Sequence, residues 1–488
     1  MKKGLFVLAF QFSILNCQFA YAQWWTAWSP KTGLALCLHQ ADTLFELYSP
    51  LQSPTPIPVS KWSLQNDTLR FECSSIGLKL TLIHSLSSPK LGEVAARSAD
   101  GGVCSEWHGT WRQGLLREAI SFLPADTLYQ LRRPQTPQPP YPYTEETLAA
   151  DYIDSHGDTI HLEGTLTVPR DSVARRHPAL LLVSGSGQQN RDEELFQHRP
   201  FLVLADFLAR HGIATLRYDD RGVGASRGPL DSATTLTFAE DAEALFNVLK
   251  RHPAVNPARI GIGGHSEGAA IAPIIATRNK EVKYVVMLAG QGCTGLDIMV
   301  QQNEALFRSR GVSPRLCALR AACMRDLLSR RDGPPASSRQ ETTVGDLQTV
   351  ILRHTDGLTK EEIDSIDLRK GMAYSLKQQL DLPWMQAFLA LDPASYLPNV
   401  QCPVLALCGD RDCQVPAQPN LQRIKQLCPK AETHELPGLN HLFQHCSTGS
   451  PDEYIQIEET FAPEAMRLIL GFLLAHELLP AGAPTATR

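Results

Sequence analysis

The stretch RIGIGGHSEGAAIAPIIAT, residues 259–277, decides how the rest of the chain is read. Its first half is a short apolar run of the kind that forms a buried strand. Its second half is rich in small and apolar residues at helical spacing. Between them Gly264, Ser266 and Gly268 have the spacing Gly-x-Ser-x-Gly. Alone that spacing is weak, because turns collect both glycine and serine. Flanked by a strand and a helix, it predicts a sharp strained turn that lifts the Ser266 hydroxyl clear of a sheet edge. The helix N-terminus beneath it favours developing negative charge.

A serine hydroxyl is a weak nucleophile and needs a base, which in turn needs an orienting acid. Both occur downstream. VLALCGDRDCQVP, residues 404–416, offers Asp412 just past an apolar strand, with Asp410 too near the strand end to reach a histidine. ELPGLNHLFQ, residues 435–444, then puts His441 in a loop after the last strand. Ser266, Asp412 and His441 are the candidate catalytic residues. An oxyanion needs two backbone N–H donors; Glu267, next after the serine, and Ser186, in the loop SGSGQQ at 184–189, are the candidates. The GIGG run lacks the dinucleotide fingerprint, because Ser266 stands where its third glycine belongs, and no Walker A sequence occurs.

The strand and helix around Ser266 belong to a longer rhythm. PALLLVSG, IATLRYDD, RIGIGGHS, KYVVMLAG and PVLALCGD read as buried strands, and amphipathic helical segments lie between them. That alternation predicts an α/β class with a mostly parallel sheet covered on both faces. Residues 293–400 interrupt it with helical segments such as PRLCALRAACMRDLLSRR and are too long for a loop. A helical cap at the carboxyl ends of the strands is expected there. Five prolines in RRPQTPQPPYPYTEE, residues 132–146, predict an extended, semi-rigid linker. Ahead of it, residues 23–131 carry period-two runs such as TLRFEC, which puts Leu69, Phe71 and Cys73 on one face. A small antiparallel β domain, barrel or sandwich, follows. Its expected role is substrate binding, docking or formation of a homodimer.

The chain has 488 residues, 43% of them hydrophobic and 20% charged, with net charge −5. Those values suit a globular protein of two or more domains and give no basic footprint for nucleic acid. Lys2 and Lys3, the apolar run at 4–15 and AYA at 20–22 read as a signal peptide over residues 1–22, with the mature chain starting at Gln23. A periplasmic or secreted protein is expected; the rival reading is a lipoprotein acylated at Cys17. No later run has the length and apolarity of a transmembrane helix. Without Cys17, 11 of the 12 cysteines remain, an odd number, so at least one thiol is free or pairs with another chain. A Cys413–Cys446 bridge between the acid and base loops is one expectation, two separate thiols the other.

Five motifs in order carry a family resemblance: SGSGQQNRDE at 184–193, RYDDRGVGASRG at 217–228, GHSEGA at 264–269, GDRDCQVP at 409–416 and LNHLFQ at 439–444. Residues 147–478 resemble an α/β-hydrolase of the esterase D-like branch, related to dienelactone hydrolases and bile-acid-CoA acyltransferase/thioesterases. Ser184, Gln188 and Ala269 depart from its usual pattern. The resemblance implies an α/β-hydrolase fold and an exported serine carboxylesterase using the Ser266–His441–Asp412 triad. No cofactor or metal is expected, and the substrate is a small-molecule or acylated-glycan ester. An acyltransferase, thioesterase or peptidase on the same triad is the alternative within enzymes. A non-catalytic binding module is the alternative outside them. Residues 479–488 read as a flexible tail.

Overall fold

A computed structural model describes residues 23–476 except 30–33, 42–43, 50–55, 58, 75–76, 88–103, 114–115, 126–129, 171–175, 330–341 and 370. The signal-peptide segment, Cys17 and the tail at 479–488 therefore lie outside the described residues. The chain divides into two compact units, Met1–Leu131 and Arg132–Arg488.

The first unit is one antiparallel sheet. Its strands are β1 (Gln23–Ser29), β2 (Leu34–Ala41), β3 (Leu44–Tyr48), β4 (Lys61–Gln65), β5 (Thr68–Cys73), β6 (Leu78–Ser87), β7 (Cys104–Gln113) and β8 (Leu116–Ala125). They lie in the order β3-β2-β1-β8-β7-β6-β5-β4. Asn66 and Asp67, both at positive φ, form the tight turn between β4 and β5, the geometry a two-residue hairpin requires. Alternate side chains, among them Trp25, Leu38, Leu69, Phe71, Cys73, Trp107 and Phe122, bury one face in a single core. The sheet curls on itself so that Phe45 on one edge strand meets Trp62 on the other, ring centroids 6.1 Å apart. The result is a half-barrel, not a sandwich.

The second unit opens with the proline-rich segment. It is clamped in place rather than free. The Arg133 guanidinium donates to the carbonyls of Phe196, Ile455 and Ile457, and the Gln135 side chain bonds the backbone of Thr460 and Phe461. Its last residues already belong to the sheet, since β9 runs Tyr143–Ile153. The chain continues through β10 (Thr159–Pro169), β11 (His177–Val183), α1 (Pro200–Arg210), β12 (Ala214–Tyr218), α2 (Thr235–Arg251), β13 (Val255–His265), α3 (Gly268–Arg278) and β14 (Val285–Leu288). Among the described residues six helices follow: α4 (Gly295–Ser309), α5 (Pro314–Leu328), α6 (Val344–Thr355), α7 (Lys360–Ser365), α8 (Met372–Leu380) and α9 (Pro383–Leu389). Then come β15 (Val404–Gly409), α10 (Ala417–Leu427), β16 (Glu432–Leu436) and α11 (Pro463–Ala475).

The sheet order β16-β15-β14-β13-β11-β12-β10-β9 positions the site. β11, β13, β14, β15 and β16 pair in parallel, so their carboxyl ends share one edge. The crossover that seats β11 directly beside β13 aligns Val183 with Gly264. The loops after these two strands must therefore meet. Fully apolar strands have two faces to bury: Leu181 and Val183 face α2, α3 and α10, whereas Leu180 and Leu182 face α1 and α11. The helical insert has a separate core of its own, with Leu327, Leu347, Val350 and Leu376.

Arginine–carboxylate pairs involving the RYDDRG segment brace this frame. Arg221 is fully buried and bonds the carboxylates of Asp241 at 2.6 Å and Asp154 at 2.9 Å. Arg191 bonds Asp219 at 2.6 Å, and Arg217 pairs with Asp192 and Glu145. Removing one partner of a buried pair leaves its counter-charge without compensation, at about 3–5 kcal/mol. Arg221→Met is expected to destabilise the second unit by that amount in urea unfolding, whereas Arg210→Met, at an exposed pair with Asp206, shifts it by under about 1 kcal/mol.

Candidate active site

Ser266 follows the last residue of β13 at φ 53°, a left-handed backbone that a side chain adopts only when its surroundings enforce it. Both flanking glycines are required there. A Cβ on Gly264 would lie 2.0 Å from the Gly268 carbonyl oxygen, and one on Gly268 would lie 2.1 Å from that of Val183. The Ser266 N–H donates to the Leu288 carbonyl at 2.8 Å, which pins the turn to the neighbouring strand. The helix α3 starts immediately, with Glu267 as its N-cap, so the Glu267 amide is among those with no partner inside the helix.

Asp412 and His441 meet across the same edge. Asp412 Oδ2 lies 2.7 Å from His441 Nδ1, and both side chains are buried. Asp412 Oδ1 accepts the amides of Gln414 and Val415, each at 2.8 Å, which fixes the carboxylate's orientation. Asp410 does something else: it accepts the Gly438 amide at 2.7 Å. Ser266, His441 and Ser186 all line one cavity of about 310 Å³, whose walls include Ile298, Met299, Trp384 and Phe388 from the helical insert. The five residues singled out from sequence thus converge, with Glu267 directly beside Ser266 in the chain.

The loop carrying Ser186 is held from behind. The Ser184 hydroxyl donates to Asp220 at 3.1 Å, and the Gln189 amide donates to the same carboxylate at 2.9 Å. Burial pushes the Asp220 carboxyl well above its usual range, against those bonds. The Glu267 side chain is occupied away from its amide. It accepts from the Thr235 hydroxyl at 2.6 Å and from the Trp384 indole N–H at 2.9 Å, with Ser186 as a further donor. Burial raises this carboxyl too. No local pattern in the sequence signals this link, because Trp384 lies 117 residues away on α9.

Of the two expectations for Cys413 and Cys446, the structure shows separate, free thiols and no bridge. The Cys413 thiol donates to the Gly449 carbonyl at 2.9 Å and that of Cys446 to the Gly438 carbonyl at 3.5 Å, so each has a backbone acceptor of its own. Burial, with the Asp412 charge adding to it, pushes Cys413 up to about 12. Hydrogen bonds and packing hold the Asp412 and His441 loops together.

The model of the Alpha/beta hydrolase family matches residues 180–457. The chain belongs to that family. It is 28% identical over 287 residues to Esterase EstD of Thermotoga maritima, covering 58% of each chain. It is 32% identical over 155 residues to Thiohydrolase apmlB of Arthrinium phaeospermum, 29% of this chain and 48% of that one. It thus spans less than two thirds of either relative's length. Among solved structures, ferulic acid-bound Est1E from Butyrivibrio proteoclasticus superimposes with a TM-score of 0.39 at 17% identity, covering 67% of this chain and 98% of that one. Among the described residues, no helix is long and apolar enough to cross a membrane.

Asp412→Asn tests the orientation of the imidazole. The amide oxygen can keep the Gln414 and Val415 bonds, which turns its NH₂ toward His441 Nδ1 and forces the proton onto Nε2. A base so protonated cannot accept a proton. Labelling of Ser266 by a serine-directed phosphonate is expected to slow by about 10⁴, with circular dichroism unchanged.

Proposed function

We propose that this chain is an exported serine hydrolase of carboxylic esters. One observation carries the reading: the buried 2.7 Å bond between Asp412 and His441 opens on the cavity that Ser266 lines from a strained turn. In this mechanism Ser266 Oγ attacks the ester carbonyl while His441 Nε2 takes its proton. The Glu267 and Ser186 amides hold the oxyanion. His441 then protonates the leaving alcohol, and water activated by the same imidazole releases the acyl group. Asp412 keeps the proton of Nδ1 in place and stabilises the imidazolium. Export rests on the basic, apolar and small-residue order of residues 1–22.

The wall of the cavity favours an uncharged ester with an apolar acyl group. Ile298, Met299, Trp384, Phe388, Val415 and Leu442 line it, and no lysine or arginine is among its lining residues. Trp384 and Phe388 stack with centroids 5.3 Å apart, forming one aromatic surface. Thioesters would pass through the same acyl-enzyme, and the name of the Arthrinium relative fits that chemistry.

Ser266→Ala is expected to leave folding intact and lower p-nitrophenyl ester turnover by about 10⁴ or more. Retention of a tenth of wild-type turnover would rule out Ser266 as the nucleophile. Trp384→Ala opens the aromatic wall, so the preference for long over short acyl chains should rise about tenfold in kcat/KM. An unchanged ratio across butyrate, octanoate and laurate esters would place acyl recognition elsewhere.

A further inference from the structure

A second acid–imidazole pair sits beside the first. His265, the last residue of β13, is buried, with its ring centroid 4.6 Å from that of His441. Its Nδ1 lies 2.8 Å from Glu193 Oε1, and its Nε2 lies 2.9 Å from the His441 carbonyl oxygen. The same Glu193 oxygen accepts the Gly185 amide at 2.7 Å. Glu193 itself has a left-handed backbone, φ 52°, a strain that persists only where the surroundings fix the residue. One chain of bonds therefore runs from the Ser186 loop through Glu193 and His265 to the backbone of the base.

The acceptors dictate the protonation of this pair. A carbonyl oxygen can only accept, so Nε2 must carry a hydrogen. The Glu193 side chain, as a carboxylate, is likewise an acceptor, so beside an ionised Glu193 the Nδ1 carries one as well. A neutral imidazole has a single N–H and can serve Glu193 or His441, but not both. We propose that Glu193 and His265 are positioning residues that hold the oxyanion loop and the His441 loop in register only while His265 is an imidazolium. The site is then switched off when His265 loses its proton.

Several charged or titratable groups face His265. Glu193 comes from the loop after β11, Asp412 from the loop after β15, and His441 from the loop after β16. Asp220 acts at one remove, through its repulsion with Glu193. Burial pushes the His265 imidazole toward its neutral form. The Glu193 charge and hydrogen bond, the His441 carbonyl and the Asp412 charge outweigh that and leave it above its ordinary value. A group raised on folding contributes its full effect below its unfolded value, about 6.5 for histidine, and loses it as pH rises through the folded value. The consequence is an alkaline loss of activity.

This proposal rests on the serine hydrolase reading for its kinetic test, so a second readout without turnover accompanies it. The burst of p-nitrophenol from p-nitrophenyl butyrate is measured from pH 5 to 10. The wild-type acylation rate should fall on the alkaline side. Glu193→Gln removes the charge that keeps the imidazolium and should move that fall down by at least about one pH unit. Glu193→Asp should restore part of it. His265→Gln should lower the rate at every pH and abolish the alkaline fall. Variants that reduce the rate evenly, with the fall unmoved, would overturn the proposal, as would a wild-type profile flat to pH 10. In Ser266→Ala, ¹⁵N shifts of His265 at pH 7 should show both nitrogens protonated; a neutral tautomer would overturn the proposal. If Ser266→Ala keeps its turnover, the hydrolase reading fails while the ¹⁵N result still decides the state of His265.

Discussion

The left-handed backbone of Ser266 is the constraint on which the site depends. Such a conformation costs on the order of 1–3 kcal/mol for a residue with a side chain, and it is retained because its neighbours leave no other path. Gly264 and Gly268 approach backbone oxygens within about 2 Å of where a Cβ would be. The Ser266 amide is tied to β14. Around that fixed point the crossover order of the strands brings the loop after β11 alongside, and the loops after β15 and β16 bring Asp412 and His441 to the same edge.

Three loops at one sheet edge would drift relative to one another if each were held only by its own strand. Buried polar bonds tie them together. Asp220 anchors the Ser184 hydroxyl and the Gln189 amide, Glu193 the Gly185 amide and His265, and His265 the backbone of His441. In a low-dielectric interior each of these bonds is costly to leave unmade. Charged residues of the RDE and DDRG runs thus hold the loops at this edge.

The helical insert is attached to the same point. Trp384 on α9 donates to the carboxylate of Glu267, the residue beside Ser266. Thr235 at the start of α2 donates to it as well. The cavity wall and the turn beneath it are thus linked through one buried acid.

Much of this was legible in the amino-acid order. Period-two runs and turn residues indicated the β unit, continuous apolar strands alternating with helices indicated the parallel sheet, and the Gly-x-Ser-x-Gly turn marked Ser266. Strand-end positions then led to Asp412 and His441, because an open α/β sheet brings loops from one edge together. These are local patterns, set by backbone sterics and by which faces must be buried. The pairing of Glu193 with His265, the bond from Trp384 to Glu267, the docking of Arg133 on three carbonyls and the separate acceptors of Cys413 and Cys446 were not legible. Each joins residues far apart in sequence, and only the packed chain decides which buried donor meets which acceptor.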